Sequence, residues 1–208
     1  MSAQFLDEDA RKAFKSAIET IEATSGVEVV VAMRQRSSTY FHANLAVGAI
    51  VAFAGLAAML FVDYPFSLTA ILFDPFLVGA SAAGLVHWIP QLKRWLTRPS
   101  TRRRHVRTAA RATFVERGVH NTRDRSGLLV YISWLEQEIE LVADSGIEAA
   151  WTLDEVDAAS RELTRTMRDG GAAVAKALAT LAPKLALTIP RRELDVNELP
   201  DAIDEATP

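Results

Sequence analysis

The longest apolar stretch of the chain begins after residue 42, and its pattern predicts a helix that crosses a membrane. Residues 43–62 contain Asn44 as their one strongly polar side chain. At 1.5 Å per residue, a helix of about twenty residues matches a hydrocarbon slab of roughly 30 Å. The core helix of a soluble protein is the alternative, but such a helix should carry a charged face and this segment has none. We therefore predict a first span over residues 43–62.

A second apolar stretch follows, interrupted by Asp74, Pro75 and Pro90. Proline suits the first turn of a helix, and the aspartate before it can cap that turn, so the pattern predicts a second span over residues 75–95. This register also keeps Asp74 away from the bilayer centre, where a carboxylate costs about 2.5 to 3.5 kcal/mol. The two spans would form a hairpin over residues 37–97.

Charges at the ends of the hairpin predict its orientation. The segment between the two spans contains no Lys or Arg, whereas basic residues flank both outer ends. These are Arg34, Arg36, Lys93, Arg94, Arg98, Arg102, Arg103 and Arg104. By the positive-inside rule, both ends lie in the cytoplasm. The chain is thus expected to be a multi-pass protein of the inner (plasma) membrane.

The flanking segments predict an α/β domain that the hairpin divides. Apolar residues at helical spacing predict helices over residues 6–24, 102–117, 153–167 and 172–181, and short apolar runs predict strands over 27–33, 127–133 and 139–143. The last two strands are close enough to pair as an antiparallel hairpin. The first strand is separated from the second by a helix, as in a right-handed crossover, so these two should be parallel.

The predicted fold class is therefore α/β, a small helix-covered mixed sheet interrupted by an inserted two-helix transmembrane hairpin. The domain would comprise residues 1–36 and 98–190, and residues 191–208 would form an acidic tail. The net charge of −3 gives no reason to expect nucleic acid. Because Arg102, Arg103 and Arg104 directly follow a span, the bilayer's anionic headgroups are the predicted partner of this basic run. The absence of cysteine excludes disulfides and thiolate metal sites.

Candidate chemistry lies at one edge of the predicted sheet. If the strands pair as expected, Asp124 and Asp144 lie side by side, and Glu28 starts the neighbouring parallel strand. Three carboxylates would supply oxygen ligands for Mg²⁺ or Ca²⁺, and Arg125 could bind a phosphate. In the alternative, the aspartates are turn and cap residues and Arg125 pairs with one of them.

The opposite edge of the sheet should point toward the bilayer, because the first strand leads into the first span. Trp134 and Leu135 follow the parallel strand at that edge, so we predict that they contact the headgroups.

Three segments of the soluble part resemble the TPM domain, a family named for a thylakoid lumen protein, a photosystem II repair protein and a receptor modulator. They are Ile21–Met33, Phe114–Ile147 and Ile189–Ile203. The resemblance implies an α/β fold, with divalent-metal binding and phosphatase activity in some members and assembly or modulation of membrane proteins in others. It favours a noncatalytic module that binds another membrane protein, with a metal-dependent phosphatase as the alternative. A transporter or channel subunit is disfavoured, because the spans carry no charge at mid-membrane.

Overall fold

The computed structural model describes residues 5–89, 97–192, 199 and 203–205. In chain order the elements are α1 (Glu8–Thr24), β1 (Glu28–Arg34), α2 (Phe41–Phe61), α3 (Leu68–Trp88), α4 (Pro99–Glu116), β2 (Gly127–Ser133), β3 (Glu138–Ala143), α5 (Ser145–Glu148), α6 (Leu153–Thr166), a 3₁₀ turn (Met167–Asp169), α7 (Gly171–Ala179), α8 (Ala182–Thr188) and β4 (Asp204–Glu205). The chain divides into an α/β unit, Met1–Ser37 with Arg103–Pro208, and a helical unit, Ser38–Arg102.

Within the described residues, the sheet of the α/β unit has four strands in the order β3-β2-β1-β4. β1 and β2 are parallel, with Glu28 opposite Gly127 and Arg34 opposite Ser133. β2 and β3 are antiparallel. Both pairings confirm the predictions from the sequence. The short strand β4 was not predicted, and it adds a parallel edge to β1.

Helices cover both faces of the central strands. One face carries the larger core, in which α1, α6, α7 and α8 pack on alternate residues of β1 and β2 such as Val29, Val31 and Leu128. On the other face, Val106, Ala110 and Phe114 of α4 complete a smaller core. Because β1 and β2 are buried on both faces, they are apolar at nearly every position, as is typical of strands inside a covered parallel sheet.

The two helices of the helical unit pack closely through glycines. Each helix has 21 residues. A methyl group on Gly79 would lie 2.6 Å from the carbonyl oxygen of Gly48, and one on Gly48 would lie 2.9 Å from that of Gly79. The backbones of α2 and α3 therefore approach each other more closely than any side chain at these two positions would permit.

The second apolar helix begins seven residues before the predicted span of residues 75–95. α3 begins at Leu68, and the Ser67 hydroxyl caps it by accepting the amide of Ala70 at 3.2 Å. Ser67 and Asp74 are both good capping residues, and the sequence pattern alone does not choose between them. Asp74 and Pro75 consequently lie inside the helix. The predicted end at residue 95 falls outside the described residues, and the described helix ends at Trp88.

Candidate functional site

The sheet brings predicted site residues to one edge. Glu28 starts β1 opposite Gly127, the first residue of β2. The carbonyl of Gly127 accepts the amide of Asp144 at 2.9 Å, so Asp144 also lies at this edge. The loop before β2 is hydrogen-bonded to the same edge of the sheet, because the carbonyl of Arg125 accepts the amide of Gly146 at 2.9 Å. The parallel and antiparallel pairings together produce this arrangement.

One carboxylate oxygen of Asp144 caps helix α5, and the other is buried. Its Oδ1 accepts the amide of Ser145 at 2.7 Å at the start of α5. Its Oδ2 is buried and has no hydrogen-bond partner among the described residues. The nearest cation is Arg125, whose Nη1 lies 3.8 Å from Oδ2 and donates to the carbonyl of His120 at 2.7 Å. The Arg125 side chain thus stabilises its own loop. The backbone of Arg125 is in the left-handed region, with φ at 54°.

The other two predicted ligands have different partners. Asp124 pairs with Arg192, with 2.9 Å between Oδ2 and Nη1. Glu28 is 8% exposed, and its Oε2 accepts the amide of Leu199 at 3.3 Å. Ca²⁺ needs about six to eight oxygen ligands and Mg²⁺ needs near-octahedral geometry. In the part of the chain that the structure describes, no three His, Cys, Asp or Glu side chains are grouped so as to hold a metal. In the described residues, the three predicted carboxylates are therefore not gathered into one group.

A groove of about 200 Å³ lies beside Glu28, between the end of α1 and the start of β1. Its polar lining includes Glu19, Glu22, Glu28 and Arg191. Glu22 also holds the start of β1, because its Oε1 accepts the amide of Val29 at 3.1 Å. Three carboxylates face one guanidinium, so the groove favours cationic over anionic ligands. Glu19 and Arg191 were not identified from the sequence.

At the opposite edge, a buried polar cluster anchors the chain where it leaves the α/β unit. We define the exit cluster as Ser37, Tyr131, Ser133 and Glu136. The amide of Ser37 donates to Glu136 Oε1 at 3.1 Å, and the hydroxyl of Ser133 donates to Glu136 Oε2. The hydroxyl oxygens of Ser37 and Ser133 are 2.7 Å apart. Burial raises the pKa of the Tyr131 phenol, which lies 3.3 Å from the Ser37 hydroxyl.

Trp134 and Leu135 form the turn beside this exit cluster. Their amides donate to the carbonyls of Arg34 and Gln35 at 3.0 and 2.9 Å, so the turn follows the chain beyond the end of β1. Both side chains are half-buried. The Trp134 ring lies 5.3 Å from that of Phe5 and packs on the larger core. Trp134 therefore has a packing role whether or not it contacts lipid.

The arginines of the basic run contact different partners. Arg102 donates to the carbonyl of Thr97 at 3.5 Å, and Arg103 pairs with Glu138 at 3.3 Å. Further along α4, Arg107 pairs with Glu140 at 2.7 Å, and burial raises the pKa of the Glu140 carboxyl despite this guanidinium. Arg104 is exposed. Among the three predicted headgroup contacts, Arg103 thus has a carboxylate partner within the protein.

These features define a class of protein. It has a mixed α/β fold, with a four-stranded sheet in the described residues, and it carries two helices long and apolar enough to cross a membrane. No protein-family model matches the chain, and no curated protein matches it.

Among solved structures, the chain is similar to the NMR structure of the BA42 protein from the psychrophilic bacterium Bizionia argentinensis. The identity is 16%, the TM-score is 0.59, and the match covers 99% of this chain and 100% of that one. At this identity the similarity shows the fold alone.

Proposed function

We propose that the protein is a membrane-anchored, noncatalytic α/β module that binds another membrane protein and assists its assembly or regulation. The observation that carries the anchoring is the exposure of α2 and α3. Only 11% of the apolar window Asn44–Phe61 and 17% of Leu68–Val86 is buried. A helix from the core of a soluble protein would be mostly buried, so these windows are more consistent with helices surrounded by lipid.

The exposed side chains are large. They include Phe53, Phe61, Leu68, Phe76 and Leu77. Removing a side chain of this size from water is worth about 1.5 to 3 kcal/mol. Soluble proteins rarely expose such contiguous apolar surface, because it drives association. A bilayer would cover it on both helices at once.

Asp74 lies inside α3, about 9 Å along the helix axis from Leu68 and about 6 Å from the bilayer centre. A carboxylate at this depth costs free energy in a membrane, so this position counts against the span and must be outweighed by the apolar surface of α2 and α3. Basic residues at both outer ends support an inner-membrane hairpin whose outer ends and α/β unit are cytoplasmic, with Arg104 among the residues that contact anionic headgroups.

The absence of cysteine allows the topology to be tested cleanly. We expect a membrane-impermeant maleimide to label the Asp63→Cys variant in intact spheroplasts, because Asp63 lies in the connection between α2 and α3. The matched Asp169→Cys variant, at an exposed site of the α/β unit, should be labelled only after the membrane is opened. Labelling of Asp169→Cys in intact spheroplasts, or recovery of the chain in the supernatant after ultracentrifugation without detergent, would contradict the proposed anchoring and orientation.

A metal-dependent phosphatase is the second candidate, and one observation favours it. Among the residues that the structure describes, buried Asp144 Oδ2 has no hydrogen-bond donor, which is unusual for a carboxylate oxygen. Under the noncatalytic proposal, we expect release of phosphate from p-nitrophenyl phosphate to stay at background with Mg²⁺ or Ca²⁺, in both wild type and Asp144→Asn. Metal-dependent turnover in wild type that Asp144→Asn abolishes would establish the enzyme and reject the proposal.

A further inference from the structure

The described residues of the C-terminal tail, 199 and 203–205, lie at the outer edge of β1. The amide of Leu199 donates to Glu28 at the start of the strand, and Asp204 and Glu205 pair in parallel with Ala32 and Met33 near its end. Leu199 packs on the smaller core and Ile203 on the larger one. Leu199 thus lies near the start of β1 and residues 203–205 near its end, and Leu199 and Ile203 pack on opposite faces of the sheet.

Three arginines that are distant from one another in sequence hold the acidic residues of β4. Arg34 of β1 contacts Asp204 twice, through Nη2 to Oδ2 at 2.5 Å and through Nη1 to the backbone carbonyl at 2.9 Å. Arg117, which follows α4, reaches Asp204 Oδ1 at 2.5 Å. Arg11 of α1 pairs with Glu205. We call Arg11, Arg34 and Arg117 the arginine clamp.

Two of the three arginines in this clamp make ion pairs that are partly open to solvent. In the described part of the tail, Asp204 and Glu205 pair with Ala32 and Met33 of β1. Arg11 and Arg117 are about half exposed, at 48% and 49%, so salt should screen their ion pairs. A strand edge offers backbone hydrogen bonds to any extended segment, and the side-chain positions decide which segment fits. The resident tail shows the pattern that fits, with an apolar residue, an apolar residue four positions later, and two acidic residues directly after it.

We propose that the edge of β1, with the arginine clamp, is a docking site for an extended acidic segment of a partner protein, which displaces the chain's own tail. This deepens the proposed function, because it names the surface and the chemistry of the partner segment. The site is built entirely from the α/β unit, so its test does not depend on whether α2 and α3 cross a bilayer. Two adjacent carboxylates provide the charge complementarity, and parallel strand pairing provides the register.

The test uses the full chain in detergent and a labelled peptide with the sequence of residues 199–208. Asp204→Asn combined with Glu205→Gln weakens the resident strand and leaves the clamp intact. We expect this double variant to bind the peptide at least about tenfold more tightly than wild type, because the tail of wild type competes at a high effective concentration. Raising the salt from 50 to 500 mM should weaken the binding by a similar factor.

A clamp variant and a matched control complete the test. Adding Arg34→Gln to the double variant should reduce peptide affinity at least about tenfold, whereas adding Arg165→Gln, which removes an exposed arginine on α6, should not change it. Circular dichroism shows whether each variant is folded. Equal binding to wild type and the double variant, or binding that Arg34→Gln leaves unchanged in a folded protein, would overturn the proposal. A wild-type dimer that the double variant loses would overturn it in favour of tail exchange between copies.

Discussion

Glu136→Ala is expected to lower the free energy of unfolding of the α/β unit by about 2 to 3 kcal/mol. The Glu136 carboxylate is 1% exposed and accepts hydrogen bonds from the Ser37 amide and the Ser133 hydroxyl. Removing it takes this acceptor from both donors, and a buried donor left without an acceptor costs about 1 to 3 kcal/mol. The Ser37 hydroxyl, 2.7 Å from that of Ser133, can compensate the loss at Ser133 in part. Urea titration of the full chain in detergent, followed by circular dichroism, measures the loss.

Glu138→Ala is the matched control for this prediction. Glu138 lies two positions further along, at the start of β3, and its carboxylate pairs with the exposed guanidinium of Arg103 at 3.3 Å. A pair of this kind is worth about 0 to 1 kcal/mol. Hydrogen exchange should also quicken at Ser37 in Glu136→Ala and stay unchanged in Glu138→Ala. Equal destabilisation by the two substitutions would show that the exit cluster is not the source of the effect.

Gly79→Ala is expected to destabilise the helical unit by about 2 kcal/mol. The added methyl would lie 2.6 Å from the carbonyl oxygen of Gly48 and 2.8 Å from the Cβ of Ala52. Neither neighbour is a flexible side-chain end that could move aside, so the helix backbones must separate and lose packing. Titration of the detergent-solubilised chain with sodium dodecyl sulfate, followed by helical circular dichroism, measures the change.

Gly84→Ala is the control that separates the effect of the close helix contact from the effect of replacing any glycine by alanine. Gly84 lies on the same helix, and a methyl there meets nothing within 4 Å. Since alanine also favours the helix more than glycine does, this variant should be as stable as wild type or slightly more so. If Gly84→Ala lost as much stability as Gly79→Ala, the close approach at Gly48 and Gly79 would not be what holds the pair.

Local pattern was sufficient to predict the central strands but not the edge strand. The segment around β1 is β-branched and apolar throughout, and the helix between β1 and β2 implied a parallel pair, so the sheet order β3-β2-β1 followed from the sequence. β4 has two residues, both acidic, which strands normally disfavour. It is held by Arg11, Arg34 and Arg117, which are distant in sequence, and a local pattern contains no information about such contacts.

In the candidate site too, the sequence predicted which residues come together but not the contacts that they make. The strand pairings correctly predicted that Glu28 and Asp144 would share one edge. They could not predict which donor each predicted carboxylate would face. Ser145 donates to Asp144, Arg192 pairs with Asp124 and Leu199 donates to Glu28, and all three contacts depend on loop and tail geometry. The exit cluster was missed for the same reason. Ser133 ends a predicted strand and Glu136 lies in the turn that follows it, and only folding brings Ser37 against them.

The parallel pairing of β1 with β2 has a consequence for synthesis on the ribosome. Glu28 and Gly127 are neighbours in the sheet, yet about a hundred residues separate them along the chain. At about 5 to 20 residues per second, β1 waits at least about 5 s for its partner strand. During that interval its edges remain unpaired, and such edges readily join other chains. The apolar helices emerge in the meantime. Under the proposed anchoring they would therefore reach the membrane before the sheet can close, while the edges of β1 are still unpaired.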